Sequence, residues 1–201
     1  MVGLIEVVEG ERLYETAKAV SKSNAIVEIG SHRGLSSCWL ASGSMEGLNA
    51  RVTCVDTWPA YDPVNLQSPD STVGWQEEGA LEQHVFNIKS IGAEHMVTRL
   101  RMTAVEAAAS WTEPIEFLFH DAEHAGDAVA RDYLAWLPFL IDGAWVAVHD
   151  YNDSKWDKKT KSWKRIGTHI SAVDRPILSG GQWTDVEVVG NMWIGRRVCG
   201  L

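Results

Sequence analysis

The sequence predicts an α/β fold with a mainly parallel sheet. Short apolar runs recur along the chain, polar or glycine-containing turns follow them, and stretches with helical periodicity separate them. Strands that alternate with helices pair in parallel through crossover connections, which places helices on both faces of the sheet. A chain of 201 residues has the length of about one domain. We therefore expect one domain over residues 1–201.

The predicted elements follow one another in regular order. The first 24 residues read as a helix, with apolar residues at helical spacing before a polar turn. At the other end, two β-prone runs flank Gly190-Asn191, a strong hairpin signal, so an antiparallel hairpin over 185–198 closes a sheet of seven strands. The five earlier strands cover residues 25–29, 51–55, 97–102, 115–119 and 144–148, and helical stretches cover residues 35–41, 103–111 and 125–137.

Two stretches do not fit this alternation. Residues 57–79 contain three prolines, and residues 151–162 are rich in lysine. Long loops at the ligand-binding edge of a parallel sheet often form lids or walls of the substrate pocket. We expect both segments to be substrate or lid loops, with surface decoration as the alternative.

Composition excludes several classes of protein. The formal charge is −9, and the three cysteines (Cys38, Cys54 and Cys199) form no C-x-x-C pair, so neither a disulfide framework nor a cysteine zinc cluster is expected. A reducing compartment fits this usage. No stretch approaches the ~18 apolar residues that a membrane span needs, and the N-terminal residues do not resemble a signal peptide. We expect a cytoplasmic protein with no membrane partner, and a homo-oligomer is compatible with the sequence.

One segment reverses the acidic character of the chain. Residues 155–165 contain six basic residues and one acid, whereas the rest of the chain is strongly acidic. This distribution disfavours a protein that coats nucleic acid with its whole surface. It leaves an alternative function open: a non-catalytic, cofactor-binding accessory protein that docks an acidic partner or a nucleic acid through residues 155–165.

Polar residues stand at the carboxyl ends of the predicted strands, where parallel sheets bind their ligands. They are Glu28, Asp56, Asp121 and the pair His149-Asp150. The turn after the first strand lacks the second and third glycines of a dinucleotide fingerprint, and Glu28 would repel a phosphate. An acid at this position suits a cationic ligand without phosphate. S-adenosylmethionine, which carries a sulfonium and an ammonium group, has this chemistry.

Four segments at the strand ends form an ordered set of motifs. They are EIGSHRGLSS at 28–37, VDTW at 55–58, FHDAEH at 119–124 and VHDY at 148–151. In this order they resemble class I S-adenosylmethionine-dependent methyltransferases. They are most similar to the metal-dependent O-methyltransferases, which include catechol and macrolide-sugar methylating enzymes and cephalosporin-hydroxylase-like relatives. The resemblance covers about residues 25–151 and implies a Rossmann-like methyltransferase domain.

The resemblance also implies where S-adenosylmethionine would bind. Asp56 would accept hydrogen bonds from the ribose hydroxyls, with Thr57 and Trp58 beside it. An acid that ends the second strand is also the usual diol acceptor in nucleotide-binding folds. The first turn would line the methionine part and the end of the third strand would border the adenine. The turn residues are Glu28, Gly30, Ser31, His32, Gly34 and Ser36, and the strand-end residues are Met102, Thr103 and Ala104.

Asp121 and His124 are the implied catalytic pair. In the similar enzymes the Asp binds a divalent metal, usually magnesium, and the His is the general base for the substrate hydroxyl. A nearby metal lowers the pKa of a hydroxyl, and an imidazole that titrates near ~6.5 can accept its proton. The resemblance therefore implies methyl transfer to a hydroxyl of a small or glycosylated metabolite.

The sequence departs from the family pattern at the remaining metal ligands, His149 and Asp150. Relatives commonly present two oxygen ligands here, and magnesium prefers oxygen over imidazole. Either His149 points away and hydrogen-bonds the backbone, or the site takes a metal that accepts nitrogen, such as manganese, iron or zinc. The expected cofactors are S-adenosylmethionine and a divalent cation, magnesium or manganese.

Two other activities match parts of the sequence. Residues 120–124 fit the H-x-x-E-H pattern of one class of zinc peptidases, which needs both histidines on one helix face. His120, however, directly follows a strand-like run, and helical periodicity starts only after His124. A hydroxylase-like activity is a third interpretation, but no clear 2-His-1-carboxylate triad supports it. Methyl transfer is favoured over both.

Overall fold

A computed structural model of the protein describes residues 5–58, 79–122, 128–151, 154–157, 159, 162–165 and 182–198. Helices and strands alternate along most of this chain. The helices are α1 (Val7–Lys18), α2 (Leu35–Glu46), α3 (Ala80–Ser90), α4 (Ala104–Ala109) and α5 (Ala128–Trp136), followed by a 3-10 turn (Leu137–Phe139). The strands are β1 (Ala25–Ile29), β2 (Arg51–Asp56), β3 (Val97–Arg101), β4 (Ile115–His120), β5 (Leu140–Val148), β6 (Ser154–Asp157), β7 (Ser162–Arg165), β8 (Gln182–Val189) and β9 (Met192–Val198).

The main sheet has seven strands in the order β3-β2-β1-β4-β5-β9-β8. The first five strands are parallel, and the β8–β9 hairpin adds an antiparallel edge to β5. The chain order reverses between β1 and β4, and in open parallel sheets this switch point opens a crevice beyond the carboxyl ends of the strands. The predicted fold is confirmed, and the ligand edge lies at the ends of β1, β2, β4 and β5.

Helices cover both faces of the sheet, as predicted. Alternate residues of β1 point to opposite faces, so Ile26 packs with α1, α2 and α3, while Val27 packs with α4 and α5. Leu13 of α1 and Trp136 of α5 are fully buried, one in each layer. Burial of one such side chain contributes about 1.5 to 3 kcal/mol. The two apolar layers hold the strand ends in a fixed relation.

The helix predicted over residues 1–24 is shorter in the structure. It ends at Lys18, and the following turn bonds to β4, because the Ser21 backbone N–H and the Asn24 side chain both donate to Glu116. These hydrogen bonds to Glu116 hold residues 21–24 in a turn, although apolar periodicity alone would extend the helix. Residues 1–4 lie outside the described chain.

Two strand predictions also change. The fifth strand begins at Leu140 rather than at residue 144, because Asp142 and a left-handed Gly143 (φ +78°) interrupt the apolar run without ending the strand. The lysine-rich segment predicted as a loop over 151–162 contains β6 and begins β7, which pair as an antiparallel hairpin with Trp156 opposite Trp163 in register. Its four-residue strands are too short and too charged to give a strand signal. Most of the other predicted loop, residues 59–78, lies outside the described chain.

Two of the three cysteines lie within the described chain. Cys38 and Cys54 are free and buried, in line with the absence of a disulfide framework, and Cys199 lies outside the described residues. Among the described helices, none combines the length and apolarity that crossing a membrane requires.

Candidate active site

The carboxyl ends of β1, β2, β4 and β5 are joined by backbone hydrogen bonds. Gly30 N–H donates to Val55 O at 2.8 Å, Asp121 N–H donates to Ile29 O at 2.8 Å, and His149 N–H donates to the His120 carbonyl at 2.9 Å. The predicted site residues therefore follow strands that are locked together to their ends. The crevice has a continuous floor made of backbone.

The first turn fits against this floor only because it has glycine at its first position. Gly30 has φ +87°, a conformation that L side chains rarely adopt, and a Cβ there would collide with the backbone carbonyl of Asp121. Gly34 is also left-handed and begins α2, with the His84 ring against it. Ser31 is buried, and His32 is left-handed as well (φ +43°). The turn after β1 and the residue after β4 are thus in direct contact.

Asp56 fixes the loop that follows β2. Its two carboxylate oxygens accept the backbone N–H groups of His32 and Trp58, each at 2.8 Å. The Trp58 indole N–H in turn donates to the His32 carbonyl at 2.8 Å, and its ring is buried against His84. Asp56 therefore ties the first turn to the residues after β2. Thr57, between Asp56 and Trp58, is exposed.

The predicted adenine side lies at the end of β3, next to Asp56. Met102 N–H donates to the Asp56 carbonyl at 3.1 Å. Thr103 caps α4: its hydroxyl accepts the Glu106 N–H, and Glu106 accepts from the Thr103 backbone in return. Ala104, the first residue of α4, is buried. The structure brings these three residues to the same edge as the first turn.

A chain of buried hydrogen bonds lies beneath the first turn. We call Glu28, Ser37, His84 and Arg99 the Glu28 chain. Arg99 Nε donates to His84 Nδ1 at 2.9 Å, so the ring proton is on Nε2, which lies 3.1 Å from Ser37 Oγ, and Ser37 donates to Glu28. Every donor in the chain points towards Glu28.

Burial sets the charge states within the Glu28 chain. It lowers the pKa of His84, and the positive charge of Arg99 adds to the effect, so the pKa is about 3. Burial also raises the pKa of the Glu28 carboxyl. The hydroxyls of neighbouring serines, Ser36 first, lower this pKa but offset the effect of burial only in part. His84 is therefore neutral near pH 7, and the ionised form of Glu28 is disfavoured.

Two polar atoms at the top of the Glu28 chain have no hydrogen-bond partner within the described chain. They are Glu28 Oε1 and Ser31 Oγ, and both are buried. Buried polar groups without partners are rare in native proteins and call for a ligand or water. Their position at the first turn, with the closely packed Gly30, fits a cationic group that donates hydrogen bonds, such as the ammonium group of S-adenosylmethionine.

Asp121, His149 and Asp150 meet at the ends of β4 and β5, and we call them the acidic cluster. His149 Nδ1 lies 3.2 Å from Asp121 Oδ1 and 3.4 Å from Asp150 Oδ1. One ligand atom from each of the three residues lies within 4.8 Å of the others, a spacing that could hold one metal ion. His149 does not turn away from the site, which removes the first of the two alternatives drawn from the sequence.

His149 is charged in the absence of a metal. Burial alone would lower its pKa, but the contacts with Asp121 and Asp150 outweigh burial and raise the pKa to about 11. Asp150 has a left-handed backbone (φ +56°), and it accepts the Asn191 side-chain amide at 3.0 Å. Strained residues of this kind concentrate at functional sites.

Glu9 of α1 is a site residue that sequence reasoning missed. It is fully buried, and its Oε2 lies 3.2 Å from His149 Nε2, on the opposite side of the ring from Asp121. A signal for it exists in the sequence, since Glu9 precedes Leu13 by one helical turn on the buried face of α1. An acid in an apolar stripe indicates a buried polar contact. His84 of α3 belongs to none of the four sequence motifs, and it is fully buried within the Glu28 chain.

Two remaining sequence assignments concern residues 120–124. His120 is the last residue of strand β4, so it does not lie on the helix that the zinc-peptidase pattern requires. Its ring is buried, with Nε2 3.2 Å from Asp132 Oδ2. His124, the predicted base, lies outside the described residues, and its role stays a prediction.

Ser36, another predicted binding residue, is buried in the first turn of α2.

Solved structures and a protein-family model resemble this chain over most of its length. Among solved structures with a similar fold are the O-methyltransferase from Bacillus cereus in complex with SAH (16% identity, 97% of this chain and 82% of that chain, TM-score 0.67) and the O-methyltransferase TomG from Streptomyces achromogenes, involved in tomaymycin synthesis, in complex with SAM (19%, 98% and 82%, TM-score 0.67). A methyltransferase from Geobacter sulfurreducens is also similar (18%, 98% and 81%, TM-score 0.64). A family model described as a methyltransferase domain matches residues 27–151. This match spans more than half of the chain, and the chain therefore belongs to the methyltransferase domain family.

Proposed function

We propose that this protein is an S-adenosylmethionine-dependent O-methyltransferase that acts on a hydroxyl of a small or glycosylated metabolite and uses a divalent cation. One observation carries the proposal: the first turn, which would hold the donor, packs directly on Asp121, the first residue of the acidic cluster. Donor and acceptor must come within van der Waals reach for methyl transfer, and positioning supplies much of the rate.

The donor side is supported by the polar atoms of the first turn. Glu28 Oε1 and Ser31 Oγ would accept from the donor's ammonium group. Each carboxylate oxygen of Asp56 accepts one backbone N–H and has capacity for a second donor, such as a ribose hydroxyl. When bound, S-adenosylmethionine supplies a methyl group on a positively charged sulfur. Met102, Thr103 and Ala104 would border its adenine at the adjoining strand end.

The acceptor side is supported by the acidic cluster. Asp121, Asp150 and His149 would hold the cation, which when bound lowers the pKa of an acceptor hydroxyl beside it. His124 follows Asp121 by three residues and would take the hydroxyl proton. The B. cereus and S. achromogenes proteins are described as O-methyltransferases, which favours oxygen as the acceptor atom here too.

Calorimetry and a turnover assay test the proposal together. We expect heat on titration with SAH, and methyl transfer from labelled donor to catechol or sugar hydroxyls, with an O-methyl signal in the product NMR spectrum. EDTA should depress turnover without abolishing SAH binding, and His124→Ala should lower kcat by about 100- to 10,000-fold.

Each part of the proposal has an outcome that contradicts it. No heat with SAH would overturn the donor site. Turnover that survives excess EDTA would remove the cation, and wild-type turnover in His124→Ala would remove the base. SAH binding with no transfer to any hydroxyl, together with salt-sensitive binding of single-stranded DNA, would instead favour an accessory protein that docks nucleic acid through residues 155–165.

A further inference from the structure

We propose that Glu9 completes the acidic cluster as the residue that orients His149, and that the cluster thereby prefers a divalent transition-metal ion such as Mn²⁺ over Mg²⁺. The inference rests on the proposed function only in requiring that this cluster bind a cation. It adds a residue from α1, outside the four motifs, and it names the class of ion.

Glu9 is held rigidly in the position that this role needs. It is fully buried, and three groups share its carboxylate: Glu6 N–H donates to Oε2 at 2.7 Å, Asn191 N–H donates to Oε1 at 2.6 Å, and the His149 ring contacts Oε2 through Nε2 at 3.2 Å. The carboxylate thus links α1, the β8–β9 turn and the end of β5. It cannot move without breaking contacts in all three.

This contact sets which ring nitrogen of His149 faces the cluster. If Nε2 carries the proton and donates it to Glu9, the lone pair of a neutral imidazole is on Nδ1. Nδ1 is the atom that lies between Asp121 and Asp150, 3.2 Å and 3.4 Å from their Oδ1 atoms, and His149 is only 5% exposed. A metal-binding histidine almost always gives its other ring N–H to a carboxylate or carbonyl in this way.

The resulting donor set consists of one imidazole nitrogen and two carboxylate oxygens. Magnesium dehydrates reluctantly and binds oxygen, whereas ions of the first transition row accept imidazole readily. A nitrogen ligand fixed by a buried carboxylate therefore shifts the preference towards Mn²⁺ and its neighbours. Without Glu9, the ring could rotate and leave a weaker pair of oxygen ligands.

A purely structural role for Glu9 makes a different prediction. In that case the His149 imidazolium is only a counter-ion for the carboxylates of Glu9, Asp121 and Asp150, and Glu9 has no function in metal binding. Loss of the Glu9 charge would then change the unfolding temperature but not the affinity or the ligand atoms of a bound ion. Metal affinity and spectroscopy separate the two roles.

The experiment compares Glu9→Gln with Glu15→Gln, an exposed glutamate on the same helix. Calorimetry with MnCl₂ and MgCl₂ measures ion affinity, and pulsed EPR of bound Mn²⁺ detects a coordinated nitrogen, assigned to histidine by ¹⁵N-His labelling. We expect nitrogen modulation and tighter Mn²⁺ than Mg²⁺ binding in the wild type. Glu9→Gln should lower Mn²⁺ affinity by about 10- to 100-fold, and Glu15→Gln should leave it unchanged.

A second variant should weaken the preference for Mn²⁺. His149→Asp replaces nitrogen by oxygen, so the nitrogen modulation should vanish and the ratio of Mn²⁺ to Mg²⁺ affinity should fall. If Mn²⁺ binds the wild type without histidine nitrogen modulation, the inference is wrong, and this measurement needs no variant to fold. Equal Mn²⁺ affinity in Glu9→Gln and Glu15→Gln would also overturn it.

SAH titrations on the same samples keep the two proposals apart. SAH binding with no Mn²⁺ binding at millimolar concentration would overturn this inference and the cation of the proposed reaction, and leave the donor site standing. Mn²⁺ binding through histidine without SAH binding would support the inference and contradict the proposed methyl transfer.

Discussion

Two buried histidines, His84 and His149, lie at the ligand edge of the same sheet and have opposite charge states. The ring of His84 accepts from Arg99, so burial and a neighbouring cation hold its pKa near 3. The ring of His149 faces carboxylates on both sides, and these raise its pKa to about 11 despite burial. Burial is similar at the two positions, so the neighbouring charges decide the difference.

The difference separates two tasks within one crevice. The Glu28 chain is a hydrogen-bonded support with a neutral histidine, suited to presenting acceptor atoms to a cationic ligand. The acidic cluster has excess negative charge that the imidazolium balances only in part, suited to a cation. Substitutions in the two regions should therefore differ in their effects on catalysis, stability and ion binding.

Among substitutions in these two regions, Asp121→Asn should have the largest effect on catalysis. The change removes one negative ligand of the acidic cluster, so kcat/KM should fall by about 100- to 1,000-fold, equivalent to about 3 to 4 kcal/mol of charge stabilisation. SAH should still bind, because the Glu28 chain is intact. Initial rates and calorimetry measure both, with the exposed Glu113→Gln as the control. Wild-type rates in Asp121→Asn would show that the acidic cluster does not take part in the reaction.

The same substitution at the two histidines should affect stability unequally. His149→Gln leaves the buried Glu9 and the partly exposed Asp121 and Asp150 without a counter-charge and should lower the free energy of unfolding by about 3 kcal/mol. His84→Gln exchanges one neutral group for another and should cost about 1 kcal/mol. Urea titrations in EDTA at pH 7 provide the comparison. Equal losses at the two positions would contradict the assigned charge states.

Acid should lower the stability of the folded protein through His84 but not through His149. The folded pKa of His84 is depressed, so below about pH 6.5 the unfolded chain binds a proton that the folded chain does not. Stability then falls by at most about 1.4 kcal/mol per pH unit as the pH drops towards 3. His149 is protonated in both states in this window and adds no slope; its contribution is lost only as the pH rises from 6.5 towards 11. The urea midpoint should therefore depend less on pH between pH 7 and 4.5 in His84→Gln than in the wild type. An unchanged profile would refute the prediction.

Ser37→Ala should affect stability and donor binding but not the cation site. It removes the hydroxyl that joins His84 to Glu28, so two buried groups lose a partner and the free energy of unfolding should fall by about 1 to 2 kcal/mol. SAH affinity should fall modestly, since Glu28 is less firmly oriented, while Mn²⁺ affinity should not change. A loss of Mn²⁺ affinity would indicate that the two regions are not separate.

Periodicity and turn chemistry were sufficient to predict the sheet and most of its elements. The runs at 25–29 and 115–119 fall on β1 and β4 almost to the residue, because both strands are central and apolar on both faces. The hairpin at Gly190 also follows from its turn signal. The hairpin of β6 and β7 was missed, since its register depends on pairing between two short charged segments, and that pairing leaves no local pattern.

The site was predicted where its residues follow strands, and missed where they come from helices. Asp56, Asp121 and His149 each stand at a strand end, so topology alone predicts that they lie along one edge of the sheet. Glu9 and His84 enter from α1 and α3, and which strand end each helix covers depends on packing angles that the sequence does not state. Their spacing to Leu13 and Ile88 on the buried faces does mark them as buried, but not what they contact.

The contact between Gly30 and the Asp121 carbonyl leaves little freedom at the seam between the donor and acceptor halves of the crevice. Neither half can shift by the width of a methyl group without displacing the other. Any attempt to redirect this protein to a new acceptor would have to leave that seam alone and change residues elsewhere around the crevice.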